Sequence, residues 1–287
     1  MGIIERQKAL NETTRTLAHH FESHRNRITD LILVAAKTAT VSNNNSKPAL
    51  AILGAGNGND LDLAALLDSY SSIHLFDFDG DALNYQRNKL SDSILASKKI
   101  VFEPAIDLSG IADDLENMSP NPTESSVLAL AEKARRVEPV LSDRQFDVVA
   151  STCMLTQLLD SAVKAYGDES PHKNYMMIAL RDGHLRLMAK MLGMGAVGIL
   201  VTDFVSSDTL PEIAQTENDD TVLELSRRAI NDRNFFTGTN PWAIKDSLAK
   251  MLVETSSQPW SIESPWRWQI GDSRFYLVTA IKFSKQF

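Results

Sequence analysis

Cysteine is almost absent: Cys153 is the one thiol in 287 residues. No internal disulfide can form and an all-cysteine metal site is excluded, so a reducing, cytoplasmic setting is expected. Long apolar runs are missing too. No stretch approaches the ~20 residues that span a bilayer, and no membrane partner is expected. The opening Met1-Gly2-Ile3-Ile4-Glu5-Arg6 lacks the basic-then-apolar run of a secretory signal. Met1-Gly2 matches the start of a myristoylation signal, but no second membrane signal accompanies it. Positive charge is also short: 29 Lys and Arg stand against 37 Asp and Glu, a formal net charge of −8. A protein that grips a phosphate backbone shows a basic patch, because neutralised phosphates supply most of the affinity. Here Lys133, Arg135 and Arg136 have Glu132 beside them, and Arg227-Arg228 is a bare pair. Both read as solvated helix faces, and a nucleic-acid partner is disfavoured.

What is present is a hydrophobic pattern whose period changes along the chain. Leu10, Leu17, Phe21, Ile28, Leu31 and Ile32 recur at helical spacings, which predicts a helical cap over residues 1–47. The polar stretch from Val41 to Pro48 is a breaker. After it come short apolar runs: Ala49–Leu53, Ile73–Asp77, Lys99–Glu103, Phe146–Ala150 and Ala196–Thr202. Helical patterns fall between them at 59–69, 80–96, 124–136, 154–166 and 173–192. Such alternation predicts an α/β domain over 48–287, doubly wound, with a mainly parallel sheet of seven strands. Residues 206–254 read as a helical insert after strand five, its second helix opening at Asn240-Pro241. Trp266–Ile270, Gly271-Asp272 and Arg274–Ile281 read as an antiparallel C-terminal hairpin.

Strand one runs into Leu53-Gly54-Ala55-Gly56-Asn57-Gly58-Asn59-Asp60. Glycines let the backbone turn sharply and let a ligand approach where a side chain would collide. Strand two ends in Asp77-Phe78-Asp79, and an acid at that tip can accept hydrogen bonds from ribose hydroxyls. Asp79 reads as an N-cap of the helix opening at Gly80, and Asp147 as a strand cap. The sixth place of the dinucleotide fingerprint Gly-x-Gly-x-x-Gly is occupied by Asn59, which argues against an NAD-linked oxidoreductase.

The spacing Gly-x-Gly-x-Gly, followed by the Asp77 strand, resembles the class I, Rossmann-like S-adenosylmethionine-dependent methyltransferases. The resemblance continues through Ala105-Ile-Asp107-Leu108, Phe146–Leu155, Leu192-Gly-Met-Gly195 and the closing hairpin, about residues 48 to 283. It implies S-adenosylmethionine as cofactor and methyl transfer to a small or medium-sized molecule by in-line displacement. It also implies a cofactor site of Gly54, Ala55, Gly56, Asn57 and Gly58, with Asp77 on the ribose and Phe78 against the adenine. Asp107 would meet the adenine amino group, Leu108 would offer a backbone N–H, and Ser151 and Thr152 would line the sulfonium side. The family commonly has an acid two places before the first glycine, where this chain has Ile52. Asp60 or the loop carbonyls are the substitutes for holding the ammonium end.

For the acceptor, the expected contributors are Gln157, Asp203, Phe236 and Trp242, with the 206–254 insert closing as a lid hinged at Gly238. His20 and His24 lie one helical turn apart without a third ligand and read as a solvated face, so no metal is expected. His172 and His184 are open as bases, although alignment of a reactive sulfonium needs none. The rival readings are an aminopropyl transferase, an NAD-linked oxidoreductase, and a nucleotide-binding sensor without catalysis.

Overall fold

The computed structural model describes residues 2–39, 47–137, 144–216, 218–251 and 261–285. Strands β1 (Ala49–Leu53), β2 (Ser72–Phe76), β3 (Ile100–Phe102) and β4 (Phe146–Thr152) run parallel, followed by β5 (Leu192–Ser206). Three further strands, β6 (Ser261–Ile262), β7 (Trp266–Ile270) and β8 (Arg274–Ser284), close the chain. The sheet has eight strands in the order β3-β2-β1-β4-β5-β8-β6, with β7 pairing β8 off this path. Seven strands were expected; the eighth is the two-residue β6, too short to leave a period. β8 runs antiparallel to β5 and forms the expected hairpin with β7, turning at Gly271 with φ +67°.

The alternation of side chains across a strand sorts this sheet into two cores. From β1, Ala51 and Leu53 enter one core and Leu50 and Ile52 the other. The first core is covered by α6 (Ala112–Glu116), α7 (Glu124–Arg136), α8 (Leu155–Tyr166), α9 (Lys173–Met191) and α11 (Pro241–Met251). The second is covered by α2 (Glu22–Thr38), α3 (Leu63–Leu66) and α4 (Gly80–Asn88). The sheet is thus doubly wound.

Several elements differ from the periodicity. The N-terminal helical pattern divides into α1 (Ile3–Thr14), a 3₁₀ turn at Ala18–Phe21, and α2. Ile28 and Ile32 of α2 are fully buried among the sheet residues. So α2 is a layer of the sheet domain, and α1 alone serves as a cap. The 80–96 helix breaks where Ser91 caps a separate α5 (Asp92–Ala96), and the 59–69 pattern shortens to α3, capped by Asp62. Leu192-Gly-Met-Gly195, expected as a turn, is drawn into β5, with Gly195 at φ +75°.

The described helices of the insert after strand five pack on the body of the fold. Ile244 and Leu248 of α11 are fully buried in the first core, spaced one turn apart on the face toward α9 and β8. Val222, Leu225 and Ala229 of α10 (Asp219–Asn231) pack on Phe204, Val205 and Leu277. These apolar faces are consumed by the body of the fold, and Trp242 of the insert stays 57% exposed. Residues 252–254 lie outside the described residues. The helix start at Asn240-Pro241 is as expected, with Asn240 Oδ1 accepting from the Trp242 N–H at 2.9 Å. Among the described residues no helix is long and apolar enough to cross a membrane.

Candidate active site

Strand order reverses between β1 and β4, and ligands of open α/β sheets bind beyond the carboxyl ends at such a point. There the Gly54 and Ala55 N–H groups donate to the Phe76 carbonyl at 3.0 and 3.1 Å, tying the glycine loop to the end of β2. Gly54, Gly56 and Gly58 have φ of +78°, +47° and +70°, a conformation that side chains disfavour. A Cβ on Gly54 would lie 2.8 Å from the Met154 Cβ, and one on Gly58 would collide with Gln86.

Asp77, 8% exposed, organises this loop. Its Oδ2 accepts from the Gly56 N–H and its Oδ1 from the Asp79 N–H, both at 2.8 Å. Burial pushes its carboxyl above the usual range, although these backbone donors pull it down. Asp79 is the N-cap of α4, accepting from the Asp81 and Ala82 N–H groups at 3.0 and 3.3 Å. Asp147 accepts from the Ala49 N–H at 2.8 Å, a tie between β4 and β1.

Two chambers meet at Gly54, Asp77 and Gln157. The smaller, about 40 Å³, is mainly apolar, with Phe78, Leu108, Leu115, Met154 and Leu158 in its wall. Asp107 also lines it; its Oδ1 accepts from the Ser109 N–H and hydroxyl and its Oδ2 from the Ala112 N–H. That carboxylate caps the start of α6 while one lone pair of Oδ2 stays free. The larger chamber, about 470 Å³, is lined by Gly54, Ala55, Gly56, Asn57, Asp60 and Thr152 on one side. Such a volume suits a small ligand.

The roof over both chambers is α1. Ile3 and Gln7 reach the smaller chamber, and Leu10, Asn11 and Thr14 the larger. Polar contacts hold it: Gln7 donates to the Gln157 carbonyl at 3.2 Å, Arg6 pairs with Asp160 at 2.8 Å, and Asn11 donates to Asp79 at 3.0 Å. From below, Asn57 donates to the Asn11 carbonyl at 2.6 Å and Asn59 to the Thr14 carbonyl at 2.8 Å. Each of these asparagines uses its amide nitrogen on the roof, and both side-chain oxygens are buried without a hydrogen bond. Asp60 Oδ1 is likewise buried without one. Two unmet amide oxygens and the Asp60 carboxylate, whose Oδ1 faces His24 Nε2 at 3.4 Å, form an environment that favours a cationic group.

Other expected residues fall apart from the cavity. Ser151 is fully buried, with its Oγ 2.8 Å from His184 Nε2 inside the sheet layer. Alternation along β4 turns it toward α9, so it does not line the sulfonium side; Thr152, one residue on, lines the larger chamber and donates to the Gly54 carbonyl at 3.1 Å. Burial lowers the His184 imidazole to about 4, leaving it neutral and enclosed, which removes it as a base. Gly58 lines neither chamber. Trp242 is 57% exposed with the Lys245 ammonium over its ring, and Phe236 lies behind Tyr276 with ring centroids 6.3 Å apart. Neither lines the cavity: Trp242 sits on the outer face of α11, and Phe236, in the loop before that helix, is tied to the Phe204 carbonyl through its N–H. Gln157 and Asp203 do line it, and burial pushes the Asp203 carboxyl up to about 6.

His24, expected on a solvated face, is 1% exposed. The apolar and aromatic wall residues Leu17, Phe21, Trp268 and Tyr276 of the larger chamber had no marker in the local sequence. The helical period does identify Phe21 as buried, and the hairpin pattern pairs Trp268 with Tyr276, but neither signal says that they face a cavity. Among the described residues no cluster of metal-ligating side chains occurs.

No family model and no curated protein matches the chain. Solved structures do resemble it. YcgJ from Bacillus subtilis is 12% identical, with 90% of this chain and 97% of that one covered and a TM-score of 0.46. A candidate S-adenosyl-L-methionine-dependent methyltransferase from Methanococcus maripaludis is 15% identical, with 99% and 94% covered and a TM-score of 0.44. Magnesium protoporphyrin IX methyltransferase from Synechocystis, solved with S-adenosylhomocysteine, is 10% identical, with 93% and 84% covered and a TM-score of 0.43. These are likenesses of overall fold, and the reading of this chain's function stands on its own sheet order and cavity.

Proposed function

We propose that this protein transfers a methyl group from S-adenosylmethionine to a small or medium-sized acceptor. The observation that carries this reading is the junction at Asp77, where an apolar slot meets a larger chamber with unmet acceptor oxygens. An adenosine joined to a cationic amino acid has that distribution of polarity. An antiparallel β8 beside β5 also sets the sheet apart from a dehydrogenase domain.

The residues present fit the cofactor. Asp77 keeps a second lone pair on each oxygen for ribose hydroxyls. Phe78, Leu108 and Met154 would enclose the adenine, and the remaining lone pair of Asp107 Oδ2 would accept from its amino group. Asn57, Asn59 and Asp60 would take the place of the family's acid at Ile52 in holding the ammonium. The bound cofactor supplies a methyl group already activated on a sulfonium. The protein's part is to align an acceptor with that group and to exclude water beneath α1.

Calorimetry with S-adenosylmethionine, S-adenosylhomocysteine and NAD tests the reading. The first two should bind at micromolar levels and NAD much more weakly. Equal or tighter NAD binding would overturn it.

A further inference from the structure

Beyond Thr152 the larger chamber ends in an aromatic wall. Phe21 meets Trp268 edge-on with ring centroids 5.4 Å apart, and Trp268 and Tyr276 lie 5.6 Å apart. His24 stacks on Trp268 at 4.3 Å with planes 10° apart. Its Nδ1 accepts from the Trp266 indole N–H at 3.0 Å, so its own proton sits on Nε2, 3.4 Å from Asp60 Oδ1. The aromatic wall is therefore fixed from behind by buried contacts.

Asp203 lines the same chamber from the far end of β5 and is 5% exposed. Its Oδ1 accepts from the Thr156 hydroxyl at 2.8 Å, and its own backbone N–H also supports the carboxylate, so its hydrogen-bond donors are neutral. Among the described residues the chamber's lining includes the carboxylates Asp60, Asp77, Asp203 and Asp272 against a single cation, Arg274. That guanidinium is half exposed and already paired with Asp208 at 2.7 Å. A carboxylate placed beside Asp203 would meet repulsion. An alcohol would leave Asp203 with a neutral partner in a site deprived of water. An ammonium answers both the Asp203 carboxylate, which has no ion pair among the described residues, and the electron-rich ring faces.

We propose that the methyl acceptor is a small aryl-bearing amine, its nitrogen held by Asp203 and its ring by Trp268 and Tyr276, which makes the reaction an N-methylation. This rests on the methyl-transfer reading above. In the step, the ammonium gives one proton to the Asp203 carboxylate. The freed lone pair on nitrogen forms the N–C bond as the C–S bond breaks, and that bonding pair stays on sulfur. The positive charge passes from sulfonium to the methylated nitrogen. The same burial that raises Asp203 favours the neutral amine over its ammonium and so assists the proton transfer.

The test is calorimetry on the full chain without cofactor, using three probes with the same three-carbon side chain: 3-phenylpropan-1-amine, 3-phenylpropan-1-ol and 3-phenylpropanoate. The amine should bind at least about tenfold tighter than either other probe. Asp203→Asn should reduce the amine to the level of the alcohol and leave the alcohol unchanged. Trp268→Leu should weaken the amine and the alcohol alike. In the wild type, amine affinity should fall as pH drops through about 6 and Asp203 takes up a proton. The groups that face it, Asp60, Cys153, Tyr276 and Arg274, are not expected to reverse that direction. Equal binding of the three probes, binding of none, or an amine affinity unchanged in Asp203→Asn overturns the proposal. A cofactor titration on the same sample separates the two readings. Cofactor binding without amine preference removes only the amine, and amine preference without cofactor binding removes the methyl transfer.

Discussion

Asp203→Asn bears on stability as well as on ligands. Burial lifts the Asp203 carboxyl from its ordinary 3.8 to about 6. Between those values the folded state binds more protons than the unfolded one, so this residue makes the protein less stable as pH rises across the window. The loss is complete above about pH 6 and amounts to about 3 kcal/mol. His184 acts in the opposite sense. Burial lowers its imidazole from 6.5 to about 4, so stability is lost as pH falls through that range, again by about 3 kcal/mol. In the wild type the two trends offset each other over the acid range. The amide introduced by the substitution keeps an oxygen for the Thr156 hydroxyl and carries no charge, which leaves the His184 trend alone. Urea unfolding at several pH values should find the variant more stable than wild type near neutrality, by up to about 3 kcal/mol, and converging with it near about pH 4. A variant less stable at neutral pH, or a difference that does not change with pH, would refute the reasoning. A gain in stability would also mark Asp203 as a residue whose presence the fold alone does not favour.

Asp77→Asn should lower S-adenosylmethionine affinity about ten- to a hundredfold, equivalent to about 1.5–3 kcal/mol for a charged hydrogen-bonding group, as read by calorimetry. Asp79→Ala should mainly lower stability, by about 1 kcal/mol for a lost cap, as read by thermal unfolding; a larger effect on binding than that of Asp77→Asn would mean that the end of β2 has been misread. Phe236→Ala should weaken the aryl-amine probe through loss of support to Tyr276 while leaving cofactor affinity within about threefold. Trp242→Ala should change neither binding constant, and calorimetry that finds otherwise would return α11 to the site.

The residues that hold the cofactor in this reading were legible in the chain because their geometry is local. Three glycines in alternate positions permit the left-handed backbone that the turn after β1 uses, and an acid at the tip of the next parallel strand falls beside them. Asp79 and Asn240 are caps for the same reason: the groups they satisfy lie two or three residues away. The resemblance named Ser151 and Thr152 together, but one step of strand register sends the first to His184 and leaves the second at the cavity. The roof and the aromatic wall were not legible. His24 and Trp266 are 242 residues apart in the chain, and their hydrogen bond forms only because α2 and the hairpin pack on one face of the sheet. The insert after strand five read as a lid because its apolar residues had no visible destination, and packing supplied one against α9 and β8. Helix α1 is the converse case: its apolar period predicts a helix, yet polar latches to Asp79, Gln157 and Asp160 place it across the cavity. Sequence alone determines which backbone can turn and which residues seek burial; where two distant buried surfaces meet, and therefore what an acceptor would touch, is decided by tertiary packing.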